Sequence, residues 1–218
     1  MNNRHILIID DQLMFMQIMG KYLTDAKLAT SLTIADTCEK GLAIVKKEKP
    51  QIVFQDITFL NSPMQGFDCL QSIKKIDKTI KVLMLSNSNE IILIKKALEN
   101  NADGYLNKGA PIEDLVSAIN VVESDNIYLH DDEITEELYR NYDNIKIGDK
   151  KMISKRELEI LELISQGNKS SKIAKQLFIS PYTVETHRRK LLDKLQAENV
   201  AHLVKRGFEF GLLKASAI

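Results

Sequence analysis

Residues 170–195 read SSKIAKQLFISPYTVETHRRKLLDKL, and they decide the fold of the C-terminal third and the partner it addresses. A short apolar-periodic helix carrying Ile173, Ala174 and Leu177 runs into a tight connection, Phe178-Ile179-Ser180. Pro181 then stands where a second helix begins. Its missing N–H costs nothing there, and Ser180 is placed to cap. At about 100° per residue, Val184, Leu191 and Leu195 share one face of that helix. Tyr182, Thr186, Arg189, Lys190 and Asp193 fall on the other. Two short helices with a tight turn, the second presenting polar and cationic groups outward, is the layout that lets a helix enter the major groove of DNA.

The surrounding residues extend this helical unit. Ser154-Lys155-Arg156-Glu157 has capping-box spacing and opens a helix that stops at Gly167. A last helix spans about Val200–Phe210 and stops at Gly211. The formal net charge of the chain is zero, but it is unevenly placed. Residues 150–218 hold 14 Lys/Arg against 7 Asp/Glu, and residues 1–149 hold 16 against 23. A basic C-terminal unit suits a polyanionic partner.

Residues 4–125 alternate strand-like apolar runs with helical segments. The strands are expected at His5–Ile9, Ala29–Ile34, Ile52–Gln55, Lys81–Leu85 and Gly104–Leu106, and the helices near 12–24, 38–48, 67–76, 89–100 and 111–123. Five such βα units predict a five-stranded parallel sheet with helices on both faces, in the flavodoxin-like order 2-1-3-4-5. Residues 124–150 are polar and acidic, with one amphipathic pattern (Ile134, Leu138, Tyr142), and read as a linker carrying a short helix. The expected units are therefore 1–123, the linker 124–150, and an all-α four-helix unit at 151–218.

In an open α/β sheet, ligands bind outside the carboxyl ends of the strands. Strand 1 ends in Asp10-Asp11, strand 3 in Asp56 and strand 4 in Ser86, while Lys108 follows strand 5. Any one of these has a plain structural reading as a helix cap or a solvated loop residue. All five at successive strand ends define a pocket. Carboxylates packed together repel, so a hard cation such as Mg²⁺ is expected to offset them and to clamp a phosphoryl group. Lys108 and the Ser86 hydroxyl would neutralise phosphoryl oxygens, and Asp56 would be the nucleophile that becomes an aspartyl-phosphate.

With 44% apolar and 28% charged residues the composition is that of a soluble globular protein. There is no apolar run near ~20 residues and no signal peptide, so a cytoplasmic protein without a membrane partner is expected. Cys38 and Cys69 lie inside expected helices without CxxC spacing and read as small buried hydrophobes.

These residues resemble a known family. The chain is similar to bacterial two-component response regulators of the LuxR/NarL type. Residues 4–123 resemble a receiver domain, with IIDD at strand 1, Asp56 after strand 3, MLS ending in Ser86 and ADGYLNK ending in Lys108. Residues 151–213 resemble the LuxR-type helix-turn-helix, with ISKRELEILELISQG, IAKQLFIS, TVETHRRKLLDKL and a final EFGLL. The resemblance implies that Asp56 accepts phosphate from a phosphohistidine on a sensor histidine kinase. Asp11, Asp56 and the Thr58 carbonyl would ligate Mg²⁺, with Asp10 acting mainly through water. Ser86 and Tyr105 match the positions that couple phosphorylation to the face of helix 4, strand 5 and helix 5. Glu185, Thr186 and Arg189 match positions that reach base edges. Tyr182, Thr183, Lys169, Lys172, His187, Arg188 and Lys190 join them as candidate DNA contacts, several of them to phosphates. The final helix matches the one used for homodimerisation on double-stranded DNA.

The sequence departs from the family in places. Met-Pro usually stands three and four residues after the phosphorylated Asp, and a Gly eight after it. Here those first positions are Phe59 and Leu60, Pro63 comes seven after and Gly66 ten after. The loop is about two residues longer and more apolar. Glu185 also stands where the family often has Lys. The expected function is a phosphorylation-switched, DNA-binding transcription regulator rather than an enzyme. The alternative keeps the DNA binding but uses an unphosphorylated first domain as a dimer platform. A haloacid-dehalogenase-like phosphatase fits poorly, because its nucleophile sits on the first strand and its acidic pair comes late.

Overall fold

The computed structural model describes residues 4–60, 62–130, 135, 138, 152–210 and 212–213. The strands are β1 (His5–Ile9), β2 (Ser31–Ala35), β3 (Ile52–Asp56), β4 (Lys81–Ser86), β5 (Gly104–Asn107), β6 (Ile127–Leu129) and β7 (Met152–Ser154). The helices are α1 (Leu13–Asp25), α2 (Cys38–Glu48), α3 (Gly66–Ile76), α4 (Ile91–Glu99), α5 (Asp114–Glu123), α6 (Lys155–Ser165), α7 (Ser170–Gln176), α8 (Pro181–Lys194) and α9 (Val200–Glu209).

The sheet is wholly parallel in the order β2-β1-β3-β4-β5-β6-β7. The expected order 2-1-3-4-5 is present, but five strands is corrected to seven. Each inner strand is apolar on both faces because helices cover both. In β1, Ile6 and Ile8 pack with α1 and α5, while Leu7 and Ile9 pack with α2, α3 and α4. Buried Cys38 and Cys69 lie in the second of these layers, as free thiols.

The two additional strands come from residues read as linker and helix. Ile127-Tyr128-Leu129 pairs with β5, and Met152-Ile153-Ser154 pairs with β6. The register sets Tyr105 opposite Leu129, and Leu129 opposite Ser154. The expected linker helix falls outside the described residues except for Thr135 and Leu138, both buried. The helical unit is thus joined edge-on to the sheet. Its core is continuous with the layer under α5: Ile153, Leu158 and Leu161 lie in one buried cluster with Leu115, Ile119 and Val122. Asp114, at the start of α5, receives Lys155 Nζ at 2.5 Å and lies 3.0 Å from His130 Nδ1.

Candidate phosphoacceptor pocket and nucleic-acid interface

The carboxyl ends of β1, β3 and β5 bring Asp10, Asp11, Asp56 and Lys108 together. One carboxylate oxygen from each of the three aspartates lies within 4.8 Å of the others. Asp10 is fully buried, and its Oδ1 accepts from the Gln12 amide at 2.8 Å. Asp56 Oδ1 accepts from the Ile57 amide at 2.8 Å. The second oxygens of both face Lys108, whose Nζ lies 2.7 Å from Asp10 Oδ2 and 2.8 Å from Asp56 Oδ2. One ammonium is thus shared between the two buried carboxylates. Burial pushes the Asp56 carboxyl up from 3.8 to about 6; Lys108 beside it pulls down, and the charge of Asp10 pushes up further.

A partly solvated Lys108 is the natural expectation for a lysine in a loop after a strand. Its side chain is instead only 3% exposed, and Nζ sits 5.2 Å from the Phe15 ring centroid. The ammonium is the buried counter-charge of the pocket. Ser86 ends β4, one residue past the Leu85 that pairs with Asp56, and its Oγ accepts from the Ser88 amide at 3.1 Å. Tyr105 is buried, donates from its hydroxyl to the Ser88 carbonyl at 2.8 Å, and has its phenol pushed above 10 by that burial.

The longer loop after Asp56 closes over the pocket. The Leu60 amide donates to Asp11 Oδ2 at 2.6 Å. Gln65 staples the loop internally: its Oε1 accepts from the Phe59 amide and its Nε2 donates to the Phe59 carbonyl, both at 3.2 Å. Thr58 is exposed, Phe59 is buried, and Leu60 projects outward. Gly66 is obligatory, since a Cβ there would lie 2.0 Å from the Asp56 carbonyl oxygen. Gln65 and the Leu60 amide carry no sequence signal, because the loop's path alone brings them to the pocket.

In the helical unit the expected caps form. Ser154 and Glu157 make the reciprocal capping box, and Ser180 Oγ accepts from the Thr183 amide at 3.0 Å with Pro181 in the first turn. Val184, Leu191 and Leu195 are fully buried, so the opposite face of α8 points outward. Lys169, Lys172, Tyr182, Glu185 and Arg189 are exposed, and Thr183, Thr186, Arg188 and Lys190 are half-buried. Glu185 accepts from Ser170 Oγ and pairs with Arg188 at 3.3 Å. His187 is corrected: three residues after Val184 and four before Leu191, its ring lies on the core face and is buried, so it is not placed to meet a phosphate. Lys194 is also on that face, buried against Glu157 at 2.7 Å; the helical wheel contains this signal. In α9, Leu203 and Gly207 pack inward, and Phe208 is the large apolar side chain left outside.

Residues 6–120 match the response regulator receiver domain, and residues 151–206 match the bacterial regulatory proteins of the luxR family. The chain belongs to the response regulators in which a receiver domain is joined to a luxR-type DNA-binding domain; it is a DNA-binding transcription regulator of the two-component class. It is 28% identical to the response regulator UvrY of Escherichia coli strain K12, over 98% of each chain. It is 31% identical to the oxygen regulatory protein NreC of Staphylococcus haemolyticus, over 83% of this chain and 86% of that one. Among solved structures, the RcsB response regulator of Salmonella typhimurium has a TM-score of 0.58 at 20% identity, covering 94% of this chain and 98% of RcsB, which bears on the fold alone. Among the described residues no helix is long and apolar enough to cross a membrane.

Proposed function

We propose that Asp56 accepts a phosphoryl group from a phosphohistidine of a sensor histidine kinase in the cytoplasm, and that the modification controls dimerisation and sequence-specific binding to double-stranded DNA. The observation that carries this reading is the buried convergence of Asp10, Asp11 and Asp56 on Lys108. The donor set fits a hard divalent ion: three carboxylate oxygens within 4.8 Å of one another, with a single ammonium against them. Asp10, Asp11, Asp56 and the Thr58 carbonyl would hold Mg²⁺, which when bound offsets negative charge on the phosphoryl group.

The chain's own residues account for the rest. An Asp56 oxygen attacks phosphorus, a P–O bond forms, and the P–N bond to the donor histidine breaks, returning the electron pair to the imidazole. Lys108 pairs with a phosphoryl oxygen once the Asp56 charge is spent, and Ser86 donates to another. Transferred once per activation, this is a switch rather than an enzyme's turnover. The receiver is taken as 1–123 and the DNA-binding unit as 151–218, with β6 from the connecting segment 124–150 and β7 extending the receiver sheet. The route between them runs from Tyr105 through Leu129 to Ser154, the cap of α6. On DNA, Arg189, Thr186 and Glu185 read bases, with Tyr182 and Thr183 beside them. Lys169, Lys172, Arg188 and Lys190 hold phosphates, and α9 pairs two copies.

Intact-mass measurement after acetyl phosphate and Mg²⁺ tests the site. One added phosphoryl group is expected, lost in Asp56→Asn; equal labelling of Asp56→Asn would remove Asp56 from the role. A second reading, DNA binding without phosphorylation, is favoured by the Leu60 amide already holding Asp11. It requires that wild type take up no phosphoryl group.

A further inference from the structure

Six non-glycine residues among those described have a left-handed backbone: Lys27, Lys49, Asn101, Asp125, Phe178 and Gln196. Five are polar. Phe178, at φ 54°, is the apolar one, and it is 95% exposed. It terminates α7 in a Schellman turn, with the Ile179 amide donating to the Ala174 carbonyl at 3.0 Å. The same unit stops α6 with the same kind of turn at Gly167, φ 77°, where the Asn168 amide donates to the Leu163 carbonyl at 3.2 Å. Glycine is the low-energy choice at both positions, because a Cβ is strained in this region of φ. At 178 the chain carries a ring that buries almost nothing within the chain. A second ring, Tyr182 in the first turn of α8, is 82% exposed at the same end of the recognition helix. The exposed cations Lys172, Lys175 and Arg189 lie on the same two helices, and exposed Lys169 caps the first.

We infer that Phe178, beside Tyr182, is a further DNA-contacting residue, its ring packing on deoxyribose carbons and thymine methyl groups where α8 enters the major groove. The inference rests on the DNA-binding role of the helical unit. An exposed apolar ring in the turn between two cation-bearing helices matches duplex DNA, whose grooves offer apolar sugar and methyl surface between lines of phosphates. The left-handed strain at 178 is then offset in the complex, where the ring leaves water.

The test uses the full chain and a duplex recovered by selection from a random pool, with affinity read by fluorescence anisotropy across a salt series. Phe178→Gly relieves the backbone and deletes the ring; Phe178→Asn keeps a residue that tolerates left-handed φ. Both are expected to melt at or above the wild-type temperature and to bind about tenfold more weakly, as for one lost apolar contact. The slope of log K against log salt should stay at the wild-type value, whereas Lys172→Ala lowers it by about one unit. Wild-type affinity in both Phe178 variants overturns the inference alone. Unchanged affinity with reduced transcription in vitro overturns it in favour of a contact with the transcription machinery. A wild-type chain that selects no duplex overturns the DNA reading and this inference together.

Discussion

Lys194 at the end of the recognition helix is buried against Glu157, with Nζ 2.7 Å from each carboxylate oxygen, and Glu157 also receives the Ser154 amide at 3.0 Å. One carboxylate therefore joins the end of β7, the start of α6 and the recognition helix. Removing one partner leaves the other charged and buried, which is far more costly than losing an exposed pair. Lys194→Ala is expected to lower stability by about 3 kcal/mol, read from urea denaturation. Lys194→Met with Glu157→Gln should recover much of the loss; no recovery would mean that packing, rather than charge, sets the cost.

Lys108→Ala is expected to destabilise the receiver as well as to impair switching, because the lysine is the buried counter-charge of Asp10 and Asp56. A loss of about 2–4 kcal/mol at neutral pH in a chelator is expected, the cost of unpaired buried charge. Adding Asp56→Asn should return part of it. Thermal melts of the two variants check this, and a Lys108→Ala melt equal to wild type would place the ammonium in solvent.

Asp56 gives a pH signature. Its carboxyl is held protonated up to about 6 in the folded chain, against 3.8 when unperturbed. This raised value favours the folded state below pH 3.8, and the contribution is lost as pH rises through 6. In a chelator, Asp56→Asn should therefore exceed wild type in stability above pH 6, by at most about 3 kcal/mol, and the gap should close toward pH 4. Denaturation midpoints at several pH values read it; a gap independent of pH would show that Asp56 is ionised without cost.

Much of the architecture was legible in the sequence, and the failures have physical causes. Ile6–Ile9 and Val82–Leu85 are apolar runs ended by polar residues, so the sheet and its pocket were readable. Ile127–Leu129 and Met152–Ser154 are three residues each, too short for a period to register, and parallel pairing between segments so far apart has no local signal. The depth of Lys108 has no local signal, because its burial comes from Phe15 and two carboxylates on other elements. His187 stands among cationic neighbours, but its spacing of three from Val184 and four from Leu191 puts it on the core face of α8.

Base reading and backbone holding separate by substitution. Arg189 is exposed on the face of α8 opposite Val184, and a guanidinium paired to guanine is worth about 1–3 kcal/mol of discrimination. Arg189→Ala should relax preference at one position per half-site, whereas Lys172→Ala should weaken all duplexes alike. Affinities for a panel of single-base variants of the selected duplex distinguish them. A uniform loss for Arg189→Ala would make it a phosphate contact and leave base reading to Thr186 and Glu185.

Control of DNA binding from Asp56 is tested most directly by duplex affinity with and without acetyl phosphate and Mg²⁺, for wild type and Asp56→Asn side by side. Wild type is expected to bind at least about tenfold more tightly with the donor, a coupling of roughly 1.4 kcal/mol, and Asp56→Asn to bind equally in both conditions. Equal affinity in both conditions for wild type, or the same tightening in Asp56→Asn, would contradict a switch at Asp56.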